Sequence, residues 1–106
     1  MGRFIIKIKD MYYEWSTIVD APVTYGMTLK ELEEHIRYRY GQEGIKELPK
    51  RLERVNKQGT SQYFFTLDDL FRHNRAGDNG ECLTKDEIYN KFSMPQGEVD
   101  DARLNQ

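Results

Sequence analysis

A chain of 106 residues with 38% hydrophobic and 12% aromatic side chains is the size of one domain and carries enough Tyr and Phe for a modest core. Sixteen Lys and Arg against eighteen Asp and Glu give a net charge of −2, which excludes a chain-wide attraction for nucleic acid or anionic membrane; any such contact must come from a local patch. The single cysteine, Cys82, excludes an internal disulfide and suits a reducing cytoplasm.

The opening MGRFIIKIKD has an apolar run too short, and too soon interrupted by Lys7 and Lys9, for a signal peptide or a membrane span. Ile6 stands where a myristoylation motif needs Ser or Thr. The expected location is therefore the cytoplasm. Residues 4–9 alternate with period two and read as a strand whose wet face carries Lys7 and Lys9. A tight connection at Asp10 and Met11 leads to a second extended run over 12–19, with Tyr13, Trp15, Thr17 and Val19 on one face and Tyr12, Glu14, Ser16 and Ile18 on the other. Such a hairpin must rest on helices or a further strand, and its open edges suggest pairing with a second copy, a homo-oligomer.

Pro22 ends the second run, and Gly26 is expected to permit a sharp change of direction. Thr28 with Glu31 forms a capping box for a helix over 29–40, with Leu29, Leu32, Ile36 and Tyr40 as its apolar stripe and Gly41 as its left-handed stop. Ile45, Leu48, Leu52 and Val55 mark a second amphipathic segment in which Pro49 predicts a break, followed by a better helix that Gly59 closes. Residues 60–65 (TSQYFF) read as a third strand or as a buried connection. Thr66 with Asp69 and Thr84 with Glu87 cap two further helices, the second stopped by Pro95. The expected fold class is α+β: an N-terminal β-hairpin, with or without a third strand, packed against three to four short α-helices in a single domain over 1–95, with a flexible acidic tail over 96–106.

No catalytic constellation emerges. Aligning Gly80 with the turn of a calcium loop places Arg75 at the first ligand position, which rules that loop out. One Cys and two His without close spacing do not make a zinc site, and no glycine-rich phosphate loop joins a strand to a helix. A small Cys/His enzyme would have to centre on His73, Asp78 or Cys82, yet a lone Cys beside Leu83 reads as a packed small hydrophobe. No cofactor or metal is expected, and binding remains. Trp15, Tyr25 and Tyr38 offer stacking faces, Arg37 and Arg75 forked donors, and Thr24 and Asn74 polar specificity for one ligand site. Lys46, Lys50, Arg54 and Lys57 form an anion-facing stripe on the second amphipathic segment.

The runs EWSTIVDAPVTYGMTLKELEEHIRYRYG and LPKRLERVNKQGTS, and NRAG followed by LTKDEI, together resemble a group of small proteins encoded by tailed bacteriophages, over about residues 9–92. The resemblance implies a phage accessory protein of the host cytoplasm and carries no catalytic residue. Such proteins frequently neutralise host defences, so the resemblance implies a non-enzymatic binder that sequesters a nucleotide-like immune signal or a defence protein. The alternative is a nucleic-acid-binding or virion-assembly accessory.

Overall fold

The computed structural model describes residues 3–62 and 65–93. The hairpin forms as strands β1 (Arg3–Ile8) and β2 (Met11–Ser16), antiparallel from Arg3↔Ser16 to Ile8↔Met11. Its two-residue turn is Lys9 and Asp10, one position earlier than the sequence suggests, and Lys9 sits at φ 56°. The second strand stops at Ser16 rather than Val19, because residues 17–20 turn and Asp20 adopts φ 55°. Thr17 and Ile18 are thereby left exposed.

A third strand exists, but it is β3 (Ala21–Pro22), paired to the end of β2 through Trp15↔Pro22 and Ser16↔Ala21. Pro22 is tolerated there because a two-residue edge strand has little ladder to lose. Beyond β3 the chain keeps following β2: Val23 N–H donates to Glu14 O at 2.7 Å, and Tyr12 and Met27 exchange backbone bonds of 2.8 and 2.9 Å. The outer edge of β1 is covered by residues 59–61, through Lys7 N–H to Gly59 O and Ser61 N–H to Ile5 O, each 2.9 Å. Of residues 60–65, the described ones give one bridge, Ile6↔Thr60, with Thr60 and Ser61 interior as in a buried connection; Tyr63 and Phe64 lie outside the described residues, as do Pro95 and the tail. With β1 so covered, the open hairpin edge that suggested pairing with a second copy is occupied by the chain itself.

Helix α1 (Leu29–Gln58) begins with the Thr28/Glu31 capping box and ends at Gly59, whose φ of 87° and N–H to Val55 O make a left-handed cap. Its two helical segments, 29–40 and 42–58, meet at a kink at Gly41, where the sequence places the left-handed stop. Gly41, at φ 68° and ψ −155°, occupies a region open essentially to glycine alone, so the backbone reorients there and the helix resumes at once. Pro49 does not break it. The helix passes through the exposed proline, with Leu48 before it and Val55 after it both buried against the sheet. Two short helices follow, α2 (Leu67–His73) and α3 (Lys85–Lys91), each opened by its capping box.

The sheet is covered on both faces. Phe4, Ile6, Ile8, Tyr13 and Trp15 point to one side and pack with Leu70, Ala76, Ile88 and Phe92 from α2, α3 and their connection. Trp15 is buried there, edge-on to Phe71 at 6.2 Å. Ile5 and Tyr12 point to the other side and pack against Met27 and the α1 residues Leu32, Ile36, Leu48 and Val55. The face expected to be wet is therefore interior: Ile5 is fully buried, and Lys7 is half-buried with its ammonium 5.3 Å from the Tyr12 ring. Gly26 does not adopt positive φ; a Cβ there would lie 3.2 Å from the Tyr13 hydroxyl, so its role is close packing rather than a turn.

Candidate functional site

Period-two alternation that sends Trp15 into the α2/α3 side sends Glu14 into the α1 side, where it is fully buried. Its carboxylate accepts from His35 Nε2 at 3.0 Å, from the Tyr40 hydroxyl, and from Arg3 Nη1 at 3.4 Å. Its own N–H donates to Thr24 Oγ1 at 2.9 Å. Burial alone pushes the Glu14 carboxyl up, but the bonds from His35 and Tyr40 and the nearby Arg3 charge outweigh it and hold the group below its ordinary value. The Tyr40 phenol moves the other way, raised by burial and by the carboxylate it serves. Gly44 lets the chain close around this hub: a Cβ there would lie 2.6 Å from Tyr40 Cβ and 2.9 Å from Ile36 Cγ2.

Arg3 and Tyr40 face the hub on one side and a groove of about 1070 Å³ on the other. The groove is bounded by β1, the 17–18 turn, α1 on both sides of its kink, and Ser61, Gln62 and Phe65. Five cations line it, Arg3, Arg39, Lys50, Arg51 and Arg54, against two carboxylates, Glu43 and Glu47. Arg54 Nε donates to Ser61 O at 2.6 Å and so ties α1 to the segment that covers β1. Arg51 differs from its neighbours. It is half-buried, and it makes no hydrogen bond or ion pair with any described residue. Burial pulls its guanidinium below the usual value, against the pull of Glu14, Tyr40 and Glu47 in the opposite direction. A desolvated cation in a concave, mostly cationic wall is a seat for an anion.

The seven residues expected to form one ligand site do not converge. Trp15, Thr24 and Asn74 are interior. Asn74 holds the connection after α2 together, its amide donating to Phe71 O (2.6 Å) and Leu83 O (2.8 Å) and its oxygen accepting from Ala76 and Leu83 N–H. Tyr25 packs against Phe92 with ring centroids 6.2 Å apart. Tyr38 is 92% exposed, Arg37 borders a small cleft of about 240 Å³ beside Pro49, and Arg75 lies 4.0 Å from Asp20 on the surface. None of the seven lines the larger groove. The cationic stripe is divided: Lys50 and Arg54 line the groove, whereas Lys46 and Lys57 are exposed outside it.

Cys82 is exposed rather than packed, its thiol donating to Phe71 O at 3.1 Å. His73 is exposed, and Asp78 accepts from Lys91 Nζ at 2.6 Å. Among the described residues no three His, Cys, Asp or Glu side chains are grouped to hold a metal ion. No helix among them is long and apolar enough to cross a membrane.

Sequence reasoning passed over Glu14, His35, Tyr40 and Arg51 as site residues. Arg51 carried a readable signal, since it falls three residues after Leu48 and four before Val55, on the buried stripe of α1 where a cation is out of place. Glu14 carried none, because nothing in its strand marks both faces as interior. No family model matches the chain, and neither a curated protein nor a solved structure matches it.

Proposed function

We propose that this chain is a small non-enzymatic binding protein whose site is the cationic groove between β1 and α1, and that it holds an anionic small molecule of the nucleotide-like kind without transforming it. The observation that carries this reading is Arg51, a half-buried guanidinium with no partner among the described residues, set among four further cations in a concavity of ligand size. The resemblance to tailed-phage proteins supports a counter-defence role, in which the host's signal is sequestered in the cytoplasm. Native mass spectrometry and thermal shift against cyclic oligonucleotides and adenosine diphosphate-ribose derivatives test it. A ligand that stabilises the protein, is recovered chemically unchanged and is lost with Arg51→Ala supports the reading. A panel in which nothing binds, together with capture of a host protein by the same face, overturns it in favour of a defence-protein target.

One observation favours a second reading: two members of the cationic stripe line the groove. A nucleic-acid strand that tracks the whole stripe would contact Lys46 and Lys57 as well, so neutralising these should weaken salt-sensitive retention as much as neutralising Lys50 and Arg54. Unequal effects argue against it.

A further inference from the structure

Of the four large hydrophobic side chains that are exposed among the described residues, Ile18, Leu29, Tyr38 and Phe65, two border the cationic groove. Phe65 is 53% exposed and Ile18 78%. Neither is displayed on a loose end. The Gln62 side chain grips the Phe65 backbone at both groups, accepting from its N–H at 2.8 Å and donating to its carbonyl at 2.5 Å. Gln58 anchors that turn to the end of α1 by donating to Thr60 O at 2.9 Å and Gln62 O at 2.6 Å. Ile18 N–H is held by Ser16 Oγ at 3.1 Å. Keeping an exposed phenyl ring on a doubly tied turn spends backbone order on apolar surface that folding alone does not use.

From this juxtaposition of an exposed ring on a tied backbone and a half-buried guanidinium with no hydrogen bond or ion pair to the described residues, we infer that the ligand is a phosphate ester carrying a planar heterocycle, bound with its phosphoryl group at Arg51 and its ring against Phe65. Arg51 supplies a planar fork that matches two phosphoryl oxygens, and Lys50 adds a point charge at the same wall. Phe65 and Ile18 supply an apolar face for a ring that water solvates poorly, and such stacking tolerates different bases. Glu43 and Glu47 border the same wall and repel additional negative charge there, which favours a ligand with few phosphates over a long polyanion. The inference rests on the proposed anion-binding role of the groove and specifies what that anion is attached to.

Calorimetric titration at fixed ionic strength with inorganic phosphate, ribose 5-phosphate, adenosine monophosphate and a short single-stranded oligonucleotide tests it on the whole chain. Adenosine monophosphate is expected to bind roughly tenfold more tightly than ribose 5-phosphate. Phe65→Ala should bring the nucleotide down to the sugar-phosphate level without altering ribose 5-phosphate, and Phe65→Trp should keep the difference. Arg51→Ala should weaken every phosphate-bearing probe by about tenfold or more. Equal affinity for the sugar phosphate and the nucleotide, or an equal loss of both in Phe65→Ala, overturns the heterocycle while leaving the anion seat intact. Failure of all the small phosphates to bind removes the anion seat itself. Affinity that rises steeply with oligonucleotide length and collapses with salt replaces the small ligand by nucleic acid.

Discussion

The two faces of the sheet use the same six-residue strand in opposite ways. Towards α2 and α3, β2 presents Tyr13 and Trp15 to an apolar cluster. Towards α1, it presents Tyr12 and Glu14, and the second of these is a buried charge held by three side chains from β1 and α1. The first face is a means of folding. The second costs desolvation that only its hydrogen bonds offset, and an apolar residue of similar volume would serve stability as well. What it gains is position: two of the three groups that hold Glu14, Arg3 and Tyr40, are also groove walls.

The largest effect that would sharpen this contrast is on the apolar face. Trp15→Ala should cost about 4 kcal/mol in chemical denaturation, since it empties a buried ring site, and it should leave the acid dependence of stability unchanged. Glu14→Gln comes next at about 3 kcal/mol, because it strands Arg3, His35 and Tyr40 around a neutral amide. That substitution should also alter the pH profile. Glu14 is lowered from 4.5 in the folded chain, so its contribution is fully present above 4.5 and lost as pH falls through the lower folded value. The wild type should show that acid limb and the variant should lack it. If Trp15→Ala removes the limb or Glu14→Gln keeps it, the two faces are not divided as described. Gly41→Ala should cost about 2 kcal/mol, purely through backbone strain, because no atom lies within 4 Å of the Cβ it would add. Arg51→Ala should have the smallest effect on stability, within about 0.5 kcal/mol, since the loss of a desolvated charge offsets the loss of its attraction to Glu14 and Glu47, and no hydrogen bond to a described residue is removed.

The α+β class, the three capping boxes, the Gly59 stop and the break in helical geometry at Gly41 were all legible from local chemistry, because each depends on residues a few positions apart. Pro49 misleads for the same reason: the local rule says that a proline costs a hydrogen bond, whereas the packing of Leu48 and Val55 against the sheet carries the helix through it. The run at 60–65 reads as a third strand or a buried connection, and its described start is the connection, whereas the ladder is completed by Ala21 and Pro22, two residues with little strand propensity but the right place. The groove was out of reach altogether. Its walls come from β1, the 17–18 turn, α1, Ser61, Gln62 and Phe65, and aromatic or Arg content does not reveal which of them meet. Trp15 and Asn74 looked like site residues by type and are interior by placement; Arg51 and Phe65 had the same types and border the groove.

The proposal that Arg51 seats a phosphate in the groove is tested most directly by titrating adenosine monophosphate into the wild type, Arg51→Ala and Lys57→Ala. Lys57 shares the helix and the charge but lies outside the groove. The account predicts that Lys57→Ala binds within about twofold of the wild type and Arg51→Ala at least about tenfold more weakly, with both variants folded. Equal losses in the two variants, or an Arg51→Ala that keeps its affinity, would contradict it.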